Sequence, residues 1–136
     1  MELDEGGNAS WIVVIDDDLE SGQMIATFLK KYRYQVLSAR SGGEAVQLCE
    51  RHRGKVELVI SDITMPGADG LDIQGYFGIE HPETKVIYIS GYTKRSLRDR
   101  GILAPDAAFL PKPFRWEDLR RLIEEVTGAR DRPQVQ

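Results

Sequence analysis

Short apolar runs that stop at polar or acidic residues alternate along the chain with stretches whose apolar residues recur every three or four positions. Trp11-Ile-Val-Val-Ile15 is rich in β-branched residues and predicts a buried strand. Leu19 to Tyr32 predicts a helix, with Met24, Ile25, Phe28, Leu29 and Tyr32 on one stripe. Gln35 to Ala39 reads as a second strand. Ser41 follows as an N-cap, with Glu44 three residues on as in a capping box, opening a helix that buries Ala45, Val46 and Cys49. Leu58-Val-Ile-Ser61 is a third strand. Residues 65–70 form a loop broken by Pro66, Gly67 and Gly70, and Leu71 to Ile79 is a helix weakened by Gly75 and Gly78. Val86 to Ile89 is a fourth strand, Thr93 to Arg100 a short polar helix, and Ala107 to Leu110 a fifth strand ended by Pro111. In the last helix, Trp116 to Thr127, Leu119, Leu122, Ile123 and Val126 fall at i, i+3, i+4 and i+7, and Gly128 stops it.

Strands that alternate with helices imply an α/β fold: a parallel sheet covered on both faces. Right-handed crossovers and short connections favour a flavodoxin-like, doubly wound five-stranded sheet of order 2-1-3-4-5 with five helices. The expected organisation is a flexible N-terminal segment at 1–10, one domain at 11–127 and a flexible tail at 128–136. A length of 136 residues, 41% hydrophobic and 29% charged, fits one soluble globular domain. There is no signal-peptide-like apolar stretch and no run of membrane-spanning length. Cys49 is the sole cysteine, which excludes an internal disulfide or a cysteine metal cluster and makes the cytoplasm the expected location. A net charge of −4 argues against general nucleic-acid binding. Acids dominate residues 1–90 (15 against 8 Lys+Arg) and bases residues 91–136 (10 against 7), so an acidic pocket and a basic face can coexist.

In open α/β sheets the ligand site lies beyond the carboxyl ends of the strands. Here the first strand ends at Asp16, Asp17 and Asp18, the third at Asp62, the fourth at Ser90-Gly91 and the fifth at Lys112. Carboxylates gathered there repel one another, and a divalent cation relieves the conflict. Oxygen ligands without His or Cys point to Mg²⁺. A carboxylate beside Mg²⁺ is suited to attack phosphorus, with Lys112 and the Ser90 hydroxyl offsetting charge on the transferred oxygens.

Val13-Val-Ile-Asp-Asp17, Leu58-Val-Ile-Ser-Asp62-Ile-Thr-Met-Pro66 with Asp69-Gly-Leu71, Ile89-Ser-Gly91 and Lys112-Pro-Phe114, in this order, resemble the receiver domains of bacterial response regulators over residues 11–127. The resemblance implies a phosphoacceptor of a two-component phosphorelay rather than an enzyme, one that supports its own phosphorylation and slow autodephosphorylation. Asp62 then corresponds to the phosphoacceptor, Asp17 to the direct acidic Mg²⁺ ligand, Asp16 to the acid acting through water, and Thr64 to the residue lending a backbone carbonyl to the metal. Ser90 corresponds to the switch hydroxyl, Gly91 to a small position leaving the phosphoryl group room, Lys112 to the family's lysine, and the Lys112–Pro113 bond to one that is typically cis. Phe109 stands at the aromatic switch position, where Tyr or His is frequent, and cannot hydrogen-bond. Thr64 and Tyr92 lie where side chains tune access of water.

The implied partners are a sensor histidine kinase or histidine phosphotransfer protein, and a downstream protein on the face formed by the fourth helix, fifth strand and fifth helix. Neither nucleic acid nor membrane is implied as a partner. The stretch Ile89-Ser-Gly-Tyr-Thr93, with Gly101-Ile-Leu and Phe109-Leu-Pro-Lys-Pro-Phe114, is similar to receivers of hybrid sensor histidine kinases, so the chain is either a stand-alone regulator or a receiver from a larger protein. Two rival readings stay open: a small haloacid-dehalogenase-type phosphatase with Asp16 as nucleophile and Asp18 as acid–base, and a degenerate receiver that only binds a partner. Asp18 reads as solvent-facing, His52 and His81 as surface residues, and Cys49 as a buried small hydrophobe. Lys94, Arg95, Arg98, Arg100, Arg115, Arg120 and Arg121 read as a basic surface, either solvated or partner-docking.

Overall fold

The computed structural model describes residues 10–63, 73–101, 103–104 and 106–128, with only the backbone of 73–75. The expected flexible ends therefore lie, apart from residues 10 and 128, outside the described residues, as do Thr64, the loop at 65–70 and Asp69-Gly-Leu71.

The elements run β1 (Trp11–Ile15), α1 (Leu19–Lys31), β2 (Gln35–Ala39), α2 (Gly42–Arg51), β3 (Val56–Ile63), α3 (Ile73–Glu80), β4 (Lys85–Ser90), α4 (Lys94–Asp99), β5 (Ala108–Pro111) and α5 (Trp116–Thr127). The sheet is parallel with order β2-β1-β3-β4-β5, as the alternation of elements predicts. β3 runs past the expected Leu58–Ser61 at both ends. Pro111 belongs to β5 rather than ending it; an edge strand tolerates a residue without an N–H.

Burial on both faces explains the unbroken apolar runs. Ile12, Val14, Leu58, Ile60, Ile87 and Ile89 point to one side, against Ile25 and Leu29 of α1 and Leu119 and Ile123 of α5. Val13, Ile15 and Val59 point to the other, against Ala45 and Cys49 of α2 and Phe77 of α3. Tyr88, Leu97, Leu103 and Ala107 close the α4 end. Cys49 is buried as expected, and burial, with the nearby Glu50 charge, pushes its thiol up to about 11. An aromatic ladder joins α1 to α5. Phe114 meets Trp116 edge-on at 5.5 Å, Trp116 stacks on Phe28 at 4.8 Å, Phe28 touches Tyr32 at 5.2 Å, and the Arg120 guanidinium lies 4.9 Å from the Tyr32 ring.

Local signals also hold. Ser41 Oγ accepts from the Glu44 N–H at 3.1 Å, while Glu44 returns its carboxylate to the Arg40 N–H at 2.7 Å, one residue before the expected box partner. Gly128 caps α5 in the left-handed conformation, φ 68°.

Three expectations need correction. Met24 is 56% exposed, at the edge of the α1 stripe rather than within it. His81 is 2% exposed, its Nε2 3.2 Å from Glu50 Oε2 and 3.3 Å from the Tyr76 hydroxyl. His52 is half-buried, with Nδ1 2.9 Å from the Leu48 carbonyl and its ring 5.2 Å from Trp11. The expected basic surface is mostly exposed and partly paired: Arg115, Arg120 and Arg121 meet Glu117, Glu124 and Asp118, and on α4 Arg95 lies 4.0 Å from Asp99.

Candidate phosphoacceptor site

Asp16 and Asp62 reach the site because their strands are in register. Ile15 pairs with Ser61, so the next residue of each strand comes side by side at the carboxyl end of the sheet. Both are polar residues where an apolar core stops, and both remain buried, at 3% and 8% exposure. Ser90 pairs with Pro111 one strand further on, and its carbonyl accepts from the Lys112 N–H at 2.8 Å. That contact sets the Lys112 stem beside the β4 tip. The side chain reaches across to Asp62, with Nζ 2.7 Å from Oδ2, and the Lys112–Pro113 peptide is cis.

Asp16 Oδ1 accepts from the Asp18 N–H at 2.9 Å. Asp16 Oδ2 and both oxygens of Asp62 are buried without a well-formed hydrogen bond. Of these, Asp62 Oδ2 still has the Lys112 ammonium as a charge partner, so among the described residues the oxygens with neither are Asp16 Oδ2 and Asp62 Oδ1. Burial raises the Asp62 carboxyl to about 6; Asp16 adds to the rise and Lys112 opposes it. Two neighbouring carboxylates with bare inward oxygens are the electrostatic conflict that a hard cation resolves. Among the described residues no three Asp, Glu, His or Cys side chains enclose one point. Asp17 is exposed at the β1 tip, and Thr64 lies outside the described residues. The residues present thus fit a cation shared between two buried carboxylates, with its remaining ligands drawn from the open side.

Ser90 is fully buried. Its hydroxyl donates to the Ile63 carbonyl at 3.0 Å and accepts from the Tyr92 N–H at 3.0 Å. α4 is capped by Thr93, whose Oγ1 accepts from the Ser96 N–H. Among the described residues, a Cβ added at Gly91 meets nothing within 4 Å. Phe109 is half-buried against Tyr88, Leu97, Leu103 and Ala107, away from the carboxylates. Asp18 is exposed as expected, and its carboxylate caps α1 through the Glu20 N–H at 3.2 Å.

The sequence reading missed one feature. Asp62 and Lys112 open onto a cleft of about 600 Å³ walled by Met24, Ile25, Phe114 and Trp116. The signal was the apolar residue Met24 on the margin of the α1 stripe, close to the acidic tip.

With this geometry in view, comparison with known proteins gives one answer. The family described as the response regulator receiver domain matches residues 12–124, and the chain belongs to that family. It is 34% identical over 131 residues to the sensor kinase CckA of Brucella abortus (strain 2308), an alignment covering 94% of this chain but 13% of that protein. A response regulator receiver domain protein from Clostridium thermocellum superposes with a TM-score of 0.74 at 26% identity, covering 90% of this chain and 97% of that one. The fold is also that of a chain in the CheX-CheY-BeF3-Mg²⁺ complex from Borrelia burgdorferi, with a TM-score of 0.69 at 23% identity, covering 86% of this chain and 88% of that one.

Proposed function

We propose that Asp62 accepts a phosphoryl group from a phosphohistidine on a sensor histidine kinase or histidine phosphotransfer protein. The observation that carries this is the buried Asp62–Lys112 pair beside Asp16 at the carboxyl edge of the sheet. In the transfer an Asp62 oxygen bonds to phosphorus as the phosphorus–nitrogen bond to the imidazole breaks, and the departing ring takes up a proton. Lys112, already 2.7 Å from the nucleophile, offsets charge on the transferred group. The Ser90 hydroxyl, one strand over, is the second donor once it leaves the Ile63 carbonyl.

Asp16, Asp17 and Asp62, with the Thr64 carbonyl, would hold Mg²⁺. Bound there, it supplies positive charge to the phosphoryl oxygens and removes the repulsion between carboxylates. The Mg²⁺ named with the Borrelia burgdorferi complex supports this choice. Slow autodephosphorylation, with Tyr92 and Thr64 bearing on water access, belongs to the same reading. So does a switch running through Ser90 and Phe109 to a downstream partner on α4, β5 and α5. Likeness to a sensor kinase supports origin in a hybrid kinase and a cytoplasmic location for this domain. The phosphatase alternative fares worse, because Lys112 pairs with Asp62 rather than Asp16.

Incubation with acetyl phosphate and Mg²⁺, followed by intact mass, tests the proposal. One phosphoryl adduct is expected, absent in Asp62→Asn. No adduct on the wild-type protein overturns the reading, and multiple-turnover hydrolysis that survives in Asp62→Asn but is lost in Asp16→Asn transfers it to the phosphatase.

A further inference from the structure

Gly22 lies inside α1, buried, with its missing side chain aimed at Asp16. A Cβ built there stands 3.2 Å from Asp16 Cβ and 3.9 Å from Cγ. The first distance is tighter than ordinary contact between carbons. Glycine is a poor residue for a helix interior, and Gly22 has no left-handed backbone that would demand it. The close approach is what glycine provides here. The same corner is fastened three more times. The Asp18 N–H donates to Asp16 Oδ1 at 2.9 Å, the Asp18 carboxylate accepts from the Glu20 N–H at 3.2 Å, and the Gly22 N–H donates to the Asp18 carbonyl at 3.0 Å. The first turn of α1 is thus wrapped round Asp16, leaving Oδ2 bare on the site side.

We propose that Gly22 is a positioning residue: its lack of a side chain lets Asp16 seat against α1 and sets how far its carboxylate stands from Asp62. This rests on the reading of Asp16 as a carboxylate on the metal side of the phosphoacceptor. A methyl at this position pushes Asp16 outward by a few tenths of an ångström, because α1 is anchored by its cap and its packed stripe and the acid is the part that yields.

The test uses Gly22→Ala and the same change in an Asp16→Gly background. In metal-free protein, Gly22→Ala is expected to shift the Asp18 amide proton resonance upfield and speed its exchange, as its bond to Asp16 loosens. On titration with MgCl₂, affinity is expected to fall about tenfold, the lower end for disturbing a group that orients a metal ligand. In the Asp16→Gly background, which removes the Cβ that stands 3.2 Å away, the alanine has room, and the double variant is expected to melt above Asp16→Gly alone. A general folding defect in Gly22→Ala that disappears in the double variant supports the proposal equally. Wild-type-like Mg²⁺ affinity with an unmoved Asp18 amide overturns the role of Gly22 alone. Wild-type protein that binds no Mg²⁺ and takes no phosphoryl group overturns the reading of the site, and this proposal with it.

Discussion

Asp62 carries a nearly enclosed carboxylate whose proton leaves only at about 6, because burial and Asp16 outweigh Lys112. An unfolded Asp titrates near pH 4. Between those values the folded chain holds a proton that the unfolded chain has lost, so the stability of metal-free protein falls as pH rises through that window. Asp62→Asn removes the cost. In EDTA at pH 7 the variant should exceed wild type by on the order of 1–3 kcal/mol, with the gap closing at pH 4. Urea melts at pH 4, 5, 6 and 7 would show this, and equal curves at pH 7 would refute it. Adding Mg²⁺ should narrow the gap by stabilising the ionised carboxylate. At this scale much of the site was legible. Asp16, Asp62, Ser90 and Lys112 each stand where an apolar run stops, and the strand order follows from the alternation of elements. The bare Oδ2 of Asp16 and the role of Gly22 were not legible, since they depend on how closely α1 approaches the β1 tip.

Among the elements, α1 and α5 meet along an aromatic seam. The ladder Phe114–Trp116–Phe28–Tyr32–Arg120 runs down their seam from the site side. Trp116 is half-buried, so Trp116→Ala should destabilise by about 2–3 kcal/mol, below the roughly 3–5 kcal/mol lost with a fully enclosed ring. A double-mutant cycle with Phe28→Ala should return about 1 kcal/mol of coupling, as stacked rings do beyond their area. Additive losses in denaturant melts would show that the rings merely fill space. Periodicity found both helices because each buries a stripe. It misjudged Met24 because periodicity marks a face without saying how wide the covering neighbour is. It misjudged His81 because flanking polar residues hid a partner thirty-one positions back, Glu50.

Across the molecule, a parallel sheet buried on both sides leaves Cys49 fully enclosed, with its thiol raised to about 11. Its reaction with a thiol reagent such as DTNB should be slow in native buffer and should rise with urea in step with loss of circular dichroism. Complete labelling of folded protein within the mixing time would show the α2 side to be open. Charge at this scale was only half legible. Counting bases after residue 90 located them, but their pairing with Glu117, Asp118 and Glu124 on α5 follows from helix spacing and needs the folded face to be seen.

α2 ends at Arg51 just before β3, and α3 ends at Glu80 just before β4, so both finish at the rim opposite the acidic one. There Glu50 accepts from the Tyr76 hydroxyl and meets His81, while Arg53 bonds to both Glu50 and Glu80. The two helices are moored together at that rim. Glu50 by itself ties α2 to both Tyr76 and His81, so its removal would sever both of those links between the two helix ends at a stroke.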